Sequence, residues 1–128
     1  MPAPNPGEFL KLDRQLLQAT LRLNTMAHLD ITHHFGAKLA ERRRGGLILV
    51  GSVGAEIGVP FLANDGGAKA YIHSLGEALH YEFKLLGVYV TVVPPPLTNT
   101  AGAGQPWFRP ADHADEAAER GAVRIRGP

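Results

Sequence analysis

The sequence has no cysteine, few aromatic residues and almost no net charge, and these absences exclude several kinds of function. Without cysteine, the 128-residue chain has no disulfide framework, no thiolate metal ligand and no thiol nucleophile. Its 13 basic and 12 acidic residues leave a formal net charge of +1. That balance offers nucleic acid no bulk electrostatic attraction, so we expect no nucleic-acid partner.

Long apolar runs are missing as well. Glycine or charged residues interrupt every apolar stretch well short of the roughly 20 residues that a membrane span needs. The first eight residues lack the charged and apolar regions of a secretory signal. We therefore predict a cytoplasmic protein with no membrane partner, in which the 45% of apolar residues supply a single core.

The first third of the chain shows helical spacing of its apolar residues. No proline occurs in residues 12–42, and a basic run followed by Gly45 and Gly46 predicts the end of a helix there. Two apolar rows predict one face that packs on a sheet and another that meets a partner. The first row is Leu12, Leu16, Leu23, Ala27, Ile31, Phe35 and Leu39, and the second is Leu17, Leu21, Met26 and Leu29.

The rest of the ordered pattern alternates strands and one more helix. The apolar run at residues 47–50 is typical of a strand buried on both faces, and the β-branched run at residues 88–93 predicts a second strand. Between them, residues 64–86 predict a helix with a single apolar stripe. The stripe is Ala68, Ile72, Leu75, Leu79, Phe83 and Leu86. The order helix, strand, helix, strand predicts an α/β fold with a parallel sheet.

Two parallel strands alone leave most of each helical stripe without a partner. We therefore expect the missing strands to come from another chain or from a larger fold. The composition divides the chain into a domain at residues 1–100 and a poorly ordered tail at residues 101–128.

Taken together, residues 7–100 resemble the short-chain dehydrogenase/reductase family. The resemblance lies in the order and spacing of LRLN at residues 21–24, RGGLILVGS at 44–52, AKAY at 68–71, SLGEAL at 74–79, LGVYVTV at 86–92 and TNT at 98–100. It implies a partial Rossmann-like fold, part of a doubly wound parallel sheet. The first, dinucleotide-binding half of the family fold has no counterpart among these segments.

The resemblance also implies a site for hydride transfer between NAD or NADP and an alcohol or carbonyl. Asn24, Ser52 and Lys69 stand at family positions: the serine polarises the carbonyl, the lysine holds the nicotinamide ribose, and the asparagine supports a proton relay. Lys69 and Thr98 would contact the cofactor. The acid/base tyrosine of the family, four residues before the lysine, is replaced here by Asp65.

This substitution changes the chemistry of the site. A tyrosine phenol can exchange a proton near neutral pH when a neighbouring ammonium tunes it, whereas an ordinary aspartate is already ionised there and has no proton to donate. Asp65 is also too short to reach the same place. Its residue type and position suggest instead an N-cap of the second helix or an i,i+4 partner of Lys69.

Three functional hypotheses remain open. The first is a truncated or degenerate family member that is inactive alone, and the second is a non-catalytic module that forms homo-oligomers through its two long helices. In full-length relatives these helices commonly form a dimer interface, so the resemblance implies the same surfaces here. The third is a gene fragment without independent function. The six histidines lack the spacing of a metal site, so we expect no metal and predict them at the surface or an interface.

Overall fold

The computed structural model describes residues 7–95, in which two long helices alternate with two strands. Helix α1 is Arg14–Arg42, strand β1 is Gly45–Val50, helix α2 is Ala63–Lys84 and strand β2 is Val88–Val93. Short 3-10 turns lie at Phe9–Lys11 and Val53–Ala55. The predicted α/β class and order of elements are therefore confirmed. The predicted tail at residues 101–128 lies outside the described residues. No helix in residues 7–95 has the length and apolar character that crossing a bilayer requires.

Both ends of α1 are set by local hydrogen bonds. The Asp13 side chain accepts a hydrogen bond from the backbone N–H of Leu16 at 2.8 Å, which satisfies one of the free N–H groups of the first turn. At the other end, Arg43 adopts a left-handed conformation with φ of 49° and closes the helix. The predicted end of the helix at the basic run is therefore confirmed at Arg42, but the prediction that Gly45 and Gly46 provide the stop is wrong. The chain has already turned at Arg43, and both glycines belong to β1.

The two strands form a parallel ladder whose register runs from Gly45 opposite Val88 to Val50 opposite Val93. Alternate side chains therefore point to opposite faces of the sheet. One face carries the core, in which Leu49 and Val90 pack against Ile72 of α2. Leu47, Leu79, Phe83 and Val92 are partly buried around them. The stripe predicted for α2 thus covers this face of the sheet.

The other face of the sheet is exposed within the described residues. Ile48 is 72% exposed, and Val50, Tyr89 and Val93 on the same face are also exposed. The prediction that the strand at residues 47–50 is buried on both faces is therefore wrong for residues 7–95. Both helices pack on the face that carries Leu49, and no element of this part of the chain covers the opposite face.

Helix α1 lies beside α2 and runs in the same direction. Near their starts, the Asn64 side-chain amide donates a hydrogen bond to the Leu17 carbonyl at 3.1 Å. Near their ends, Gly36 approaches the ring of Phe83 so closely that an added Cβ would lie 2.6 Å from Cε2. Each pair lies 47 residues apart in sequence, so the two helices keep a constant register along this stretch.

The face that α1 buries is small and polar. Thr20, Asn24, Thr32 and Gly36 are buried, and they follow an i+4 ridge. Of the two predicted apolar rows, only Leu17 is fully buried, and most of the other large side chains are exposed. The prediction that one apolar row faces the sheet is therefore wrong. Helix α1 packs mainly against α2, and small side chains allow two helices to approach closely.

Candidate functional site

A small pocket lies where the chain leaving β1 faces the first turns of α2. Its polar lining comes from Ser52, Asp65 and Lys69. Gly54, Val59, Leu62 and Gly66 complete the lining. The pocket has a volume of about 40 Å³, which is room for a few water molecules. The structure thus brings to one place the serine, the lysine and the aspartate that the sequence analysis singled out.

Ser52 is the second residue after β1, and hydrogen bonds fix the chain around it. Gly51 continues the ladder by donating its N–H to the Val93 carbonyl at 2.9 Å. The Ser52 N–H donates to Nε2 of His73 at 3.1 Å, and the Ser52 hydroxyl oxygen accepts the N–H of Gly54 at 3.2 Å. The serine therefore has a defined backbone and side-chain position at the rim of the pocket.

His73 is the residue at this site that sequence reasoning missed. It was predicted at the surface or an interface, but it is half-buried and bonded to Ser52. The available signal was its spacing: His73 follows Lys69 by one helical turn, so the two side chains share a face of α2. Nothing in the sequence showed that this face meets the chain leaving β1.

Asp65 lies inside the first turn of α2 and does not cap it. The helix begins at Ala63, and the N-cap position belongs to Leu62, whose side chain makes no capping hydrogen bond. The N-cap prediction for Asp65 is therefore wrong. A carboxylate in the first turn still interacts favourably with the positive end of the helix dipole.

Lys69 is the one charged side chain among the buried residues of the described part of the chain, with an exposure of 9%. The predicted i,i+4 ion pair with Asp65 is not formed, because the single salt bridge within residues 7–95 joins Lys11 to Glu8. A lysine is rarely buried without a partner. Its aliphatic stem can be buried while the ammonium still reaches water or a ligand at the pocket.

The remaining predicted site residues are Asn24 and Thr98. Asn24 is buried in the i+4 ridge of α1 and is not among the residues that line the pocket. Its role in a proton relay stays a prediction. Thr98 lies outside the described residues. Within residues 7–95, no three histidine, aspartate or glutamate side chains come close enough to hold a metal ion.

Comparisons with known proteins show which family the chain resembles. The sequence pattern of the short chain dehydrogenase family matches residues 3–107. A very-long-chain 3-oxoacyl-CoA reductase of Neurospora crassa is 34% identical over 96 residues, which cover 75% of this chain and 29% of the relative. A 3-ketodihydrosphingosine reductase of Bos taurus is 30% identical over 96 residues, again 75% of this chain and 29% of the relative. The chain thus spans less than a third of the length of these relatives.

Solved structures share the fold. A gluconate 5-dehydrogenase from Burkholderia cenocepacia, in complex with NADP and tartrate, superposes with a TM-score of 0.77 at 16% identity. The match covers 94% of this chain and 47% of that one. A short-chain dehydrogenase from Sphingobium yanoikuyae in complex with NADPH gives a TM-score of 0.74 at 20% identity, covering 94% of this chain and 52% of that one. The described helices and strands therefore form part of a Rossmann-type fold.

Proposed function

The chain belongs to the short-chain dehydrogenase family, and we propose that it descends from an NAD- or NADP-dependent ketone reductase but does not itself complete hydride transfer. One observation carries the proposal: Asp65, four residues before Lys69 where the resemblance implies the acid/base tyrosine, lines one pocket with Ser52 and Lys69. The serine and lysine that the resemblance assigns to orienting the carbonyl and the cofactor are present, whereas Asp65 replaces the residue that would donate the proton.

The residues present can perform only part of a carbonyl reduction. The Ser52 hydroxyl oxygen accepts the N–H of Gly54, which leaves its own proton free to be donated to a carbonyl oxygen. Reduction also requires a proton donor beside that oxygen, and an ionised aspartate is acceptor-only. The expected result is a polarised carbonyl that is not protonated.

The described residues also fail to enclose a dinucleotide. A pocket of about 40 Å³ is far smaller than the several hundred Å³ that sites for such ligands provide. Lys69 is suited to a ribose hydroxyl, because it lines the pocket and forms no ion pair in the described part of the chain. A single donor does not position a cofactor, so we derive no catalytic step through one.

The ancestral substrate that we propose is a ketone on a long apolar molecule. Support comes from the relatives named above, a 3-oxoacyl-CoA reductase and a 3-ketodihydrosphingosine reductase. We also propose that the protein is cytoplasmic, because a chain without cysteine needs no oxidising compartment for disulfide formation.

An assay of NADPH oxidation with a 3-oxoacyl-CoA or a simple ketone tests the proposal. We expect no turnover above a heat-killed control. Loss of the acid/base group alone typically costs about 10²–10⁴-fold, which can leave detectable activity, but the described residues also form no pocket of the size that positions a dinucleotide. Asp65→Tyr should therefore stay inactive alone, and Asp65→Asn serves as the matched control.

Two results bear directly on this expectation. NADPH oxidation by the unmodified chain in the presence of a ketone would contradict it. Turnover by Asp65→Tyr alone would show that cofactor positioning is intact, so that the substitution at Asp65 is the whole defect. A fusion that adds the dinucleotide half of a relative to Asp65→Tyr is the variant in which we expect activity to return.

We propose as a second function that the chain forms homo-oligomers through its long helices. The observation that favours it is the exposed apolar surface of α1, where Ile31 is 57% exposed and Phe35 is 49% exposed. Leu16, Leu21, Leu23 and Met26 of α1 are also exposed. Soluble monomers rarely expose apolar patches of more than a few hundred Å².

Analytical ultracentrifugation at tens of micromolar measures this association. We expect an oligomer that Ile31→Glu and Phe35→Glu dissociate. Ile48→Glu, on the exposed face of the sheet, is the matched control and should leave the sedimentation unchanged. A compact monomer of the unmodified chain would contradict the proposal, and dissociation by Ile48→Glu alone would move the interface to the sheet.

A further inference from the structure

His73 joins the second helix to the serine at the end of β1. Its Nε2 atom accepts the backbone N–H of Ser52 at 3.1 Å, across 21 residues of sequence. The imidazole also lies against Gly51, where an added Cβ would collide with the ring. Both contacts fall on the two residues that lead from the strand into the pocket, so the ring determines where this short piece of backbone lies.

We propose that His73 is the positioning residue of Ser52, and that only its neutral ring holds the serine in place. His73 accepts the N–H of Ser52, while the Ser52 carbonyl accepts the N–H of Ala55 at 3.1 Å and its hydroxyl oxygen accepts the N–H of Gly54. Losing the first bond leaves the Ser52 N–H without its acceptor and loosens the hydroxyl that lines the pocket. The use of that hydroxyl on a carbonyl rests on the proposed function; the bond to His73 does not.

The chemistry of the imidazole makes the bond dependent on protonation. A nitrogen that accepts a hydrogen bond must be unprotonated, so the proton of the neutral ring is on Nδ1. In the imidazolium both nitrogens are donors, and Nε2–H would face the N–H of Ser52. The bond is therefore made by the neutral ring and lost in the imidazolium, so acidification is expected to break it.

The surroundings of His73 contain few other charges. On α2, Lys69 and Glu77 lie one turn to either side, and β1 and β2 carry no charged residue. Glu56 lies in the loop after β1, and His28 is the one titratable group in the i+4 ridge of α1. These four groups are therefore the others whose protonation can change the Ser52 amide signal with pH.

His80, two turns further along α2, provides an internal comparison. Its Nδ1 lies 2.8 Å from the carbonyl oxygen of Val90 and donates to it, because a carbonyl can only accept. Protonation of that ring preserves the donor. Acidification is therefore expected to break the bond of His73 and to leave the bond of His80 intact.

Nuclear magnetic resonance of the whole chain tests the proposal through the Ser52 amide. Hydrogen-exchange protection factors, which remove the intrinsic pH dependence of exchange, are measured at pH 8 and pH 5. In the unmodified chain we expect the Ser52 amide shift to titrate together with the His73 ring, and its protection to fall about tenfold at pH 5. The protection of the Thr91 amide, next to the carbonyl that His80 holds, should not change.

Two variants separate positioning from a merely structural role. In His73→Gln the side-chain carbonyl can accept the Ser52 N–H at any pH, so protection should persist at pH 5. In His73→Leu the acceptor is missing, and protection should be low at both pH values. His33→Gln, at an exposed histidine of α1, is the matched control and should behave like the unmodified chain.

The outcomes that overturn the proposal are equally defined. The first is a Ser52 amide whose chemical shift does not titrate with the His73 ring. The second is a His73→Gln chain whose Ser52 amide still loses protection at pH 5. If His73→Leu does not fold, the titration and the glutamine variant decide alone. Because no cofactor or substrate is present, the result is independent of whether the chain reduces ketones.

Discussion

Helices α1 and α2 pack side by side in one fold, yet they bury opposite kinds of residue. The buried face of α2 contains Ala68 and Ile72, which come from its single apolar stripe. The buried face of α1 contains Thr20, Thr32 and Gly36, and most of its leucines are exposed, with Leu17 the one buried leucine. An apolar stripe thus identified the helix that covers the sheet, but it misidentified the face of the helix that packs on another helix.

The difference has a physical cause in the two kinds of contact. Helix α2 lies on the sheet, where Leu49 and Val90 present a broad apolar surface that rewards large apolar side chains. Helix α1 meets α2 through close approaches, one of them Gly36 against Phe83. Such approaches depend on small volume and on shape, which a pattern of hydrophobicity does not record.

The largest expected loss of stability comes from a substitution in the apolar stripe of α2. Ile72 is fully buried at 0% exposure, so Ile72→Ala should lower the free energy of unfolding by about 2–5 kcal/mol through lost burial and the cavity left behind. Ile31→Ala, at an exposed position of α1, should change it by less than about 0.5 kcal/mol at protein concentrations too low for association. Urea denaturation of both variants measures the difference, and equal losses would show that the two rows are buried alike.

A second variant tests the close contact of α1. Alanine is favoured over glycine in a helix by about 1 kcal/mol, yet Gly36→Ala should destabilise the fold by about 1–2 kcal/mol because its Cβ would lie 2.6 Å from Phe83. Gly67→Ala in α2, where nothing lies within 4 Å, is the control and should stabilise. Phe83→Leu should relieve the Gly36→Ala defect in the double mutant; a purely additive double mutant would argue against the contact.

The smallest expected effect has the opposite sign. Lys69 is buried without an ion pair among residues 7–95, so Lys69→Met should raise the free energy of unfolding by about 1 kcal/mol. Lys84→Met, at an exposed lysine near the end of α2, should change it by less than about 0.5 kcal/mol. Thermal or urea unfolding of both variants measures the two changes. A destabilised Lys69→Met would mean that the ammonium is well solvated or paired.

The candidate site was accessible to sequence reasoning only in part. Ser52 and Lys69 were identified through the family resemblance, and the structure places both on one pocket with Asp65. The N-cap and ion-pair interpretations of Asp65 failed because they considered the helix alone, and its start at Ala63 depends on the loop that precedes it. His73 was missed for a related reason: its bond to Ser52 joins residues 21 positions apart.

The sequence by itself determined the order of the elements and the α/β class, since the periodicity of apolar residues and the breaks made by glycine and proline are local properties of the chain. It also determined which face of α2 is buried, because one stripe ran the length of that helix. Only the tertiary structure decided that the sheet is covered on one face, that α1 packs through its small residues, and that His73 holds Ser52. Each of these depends on which surfaces meet, and contacts between distant segments are set by shape and distance rather than by the pattern along the chain.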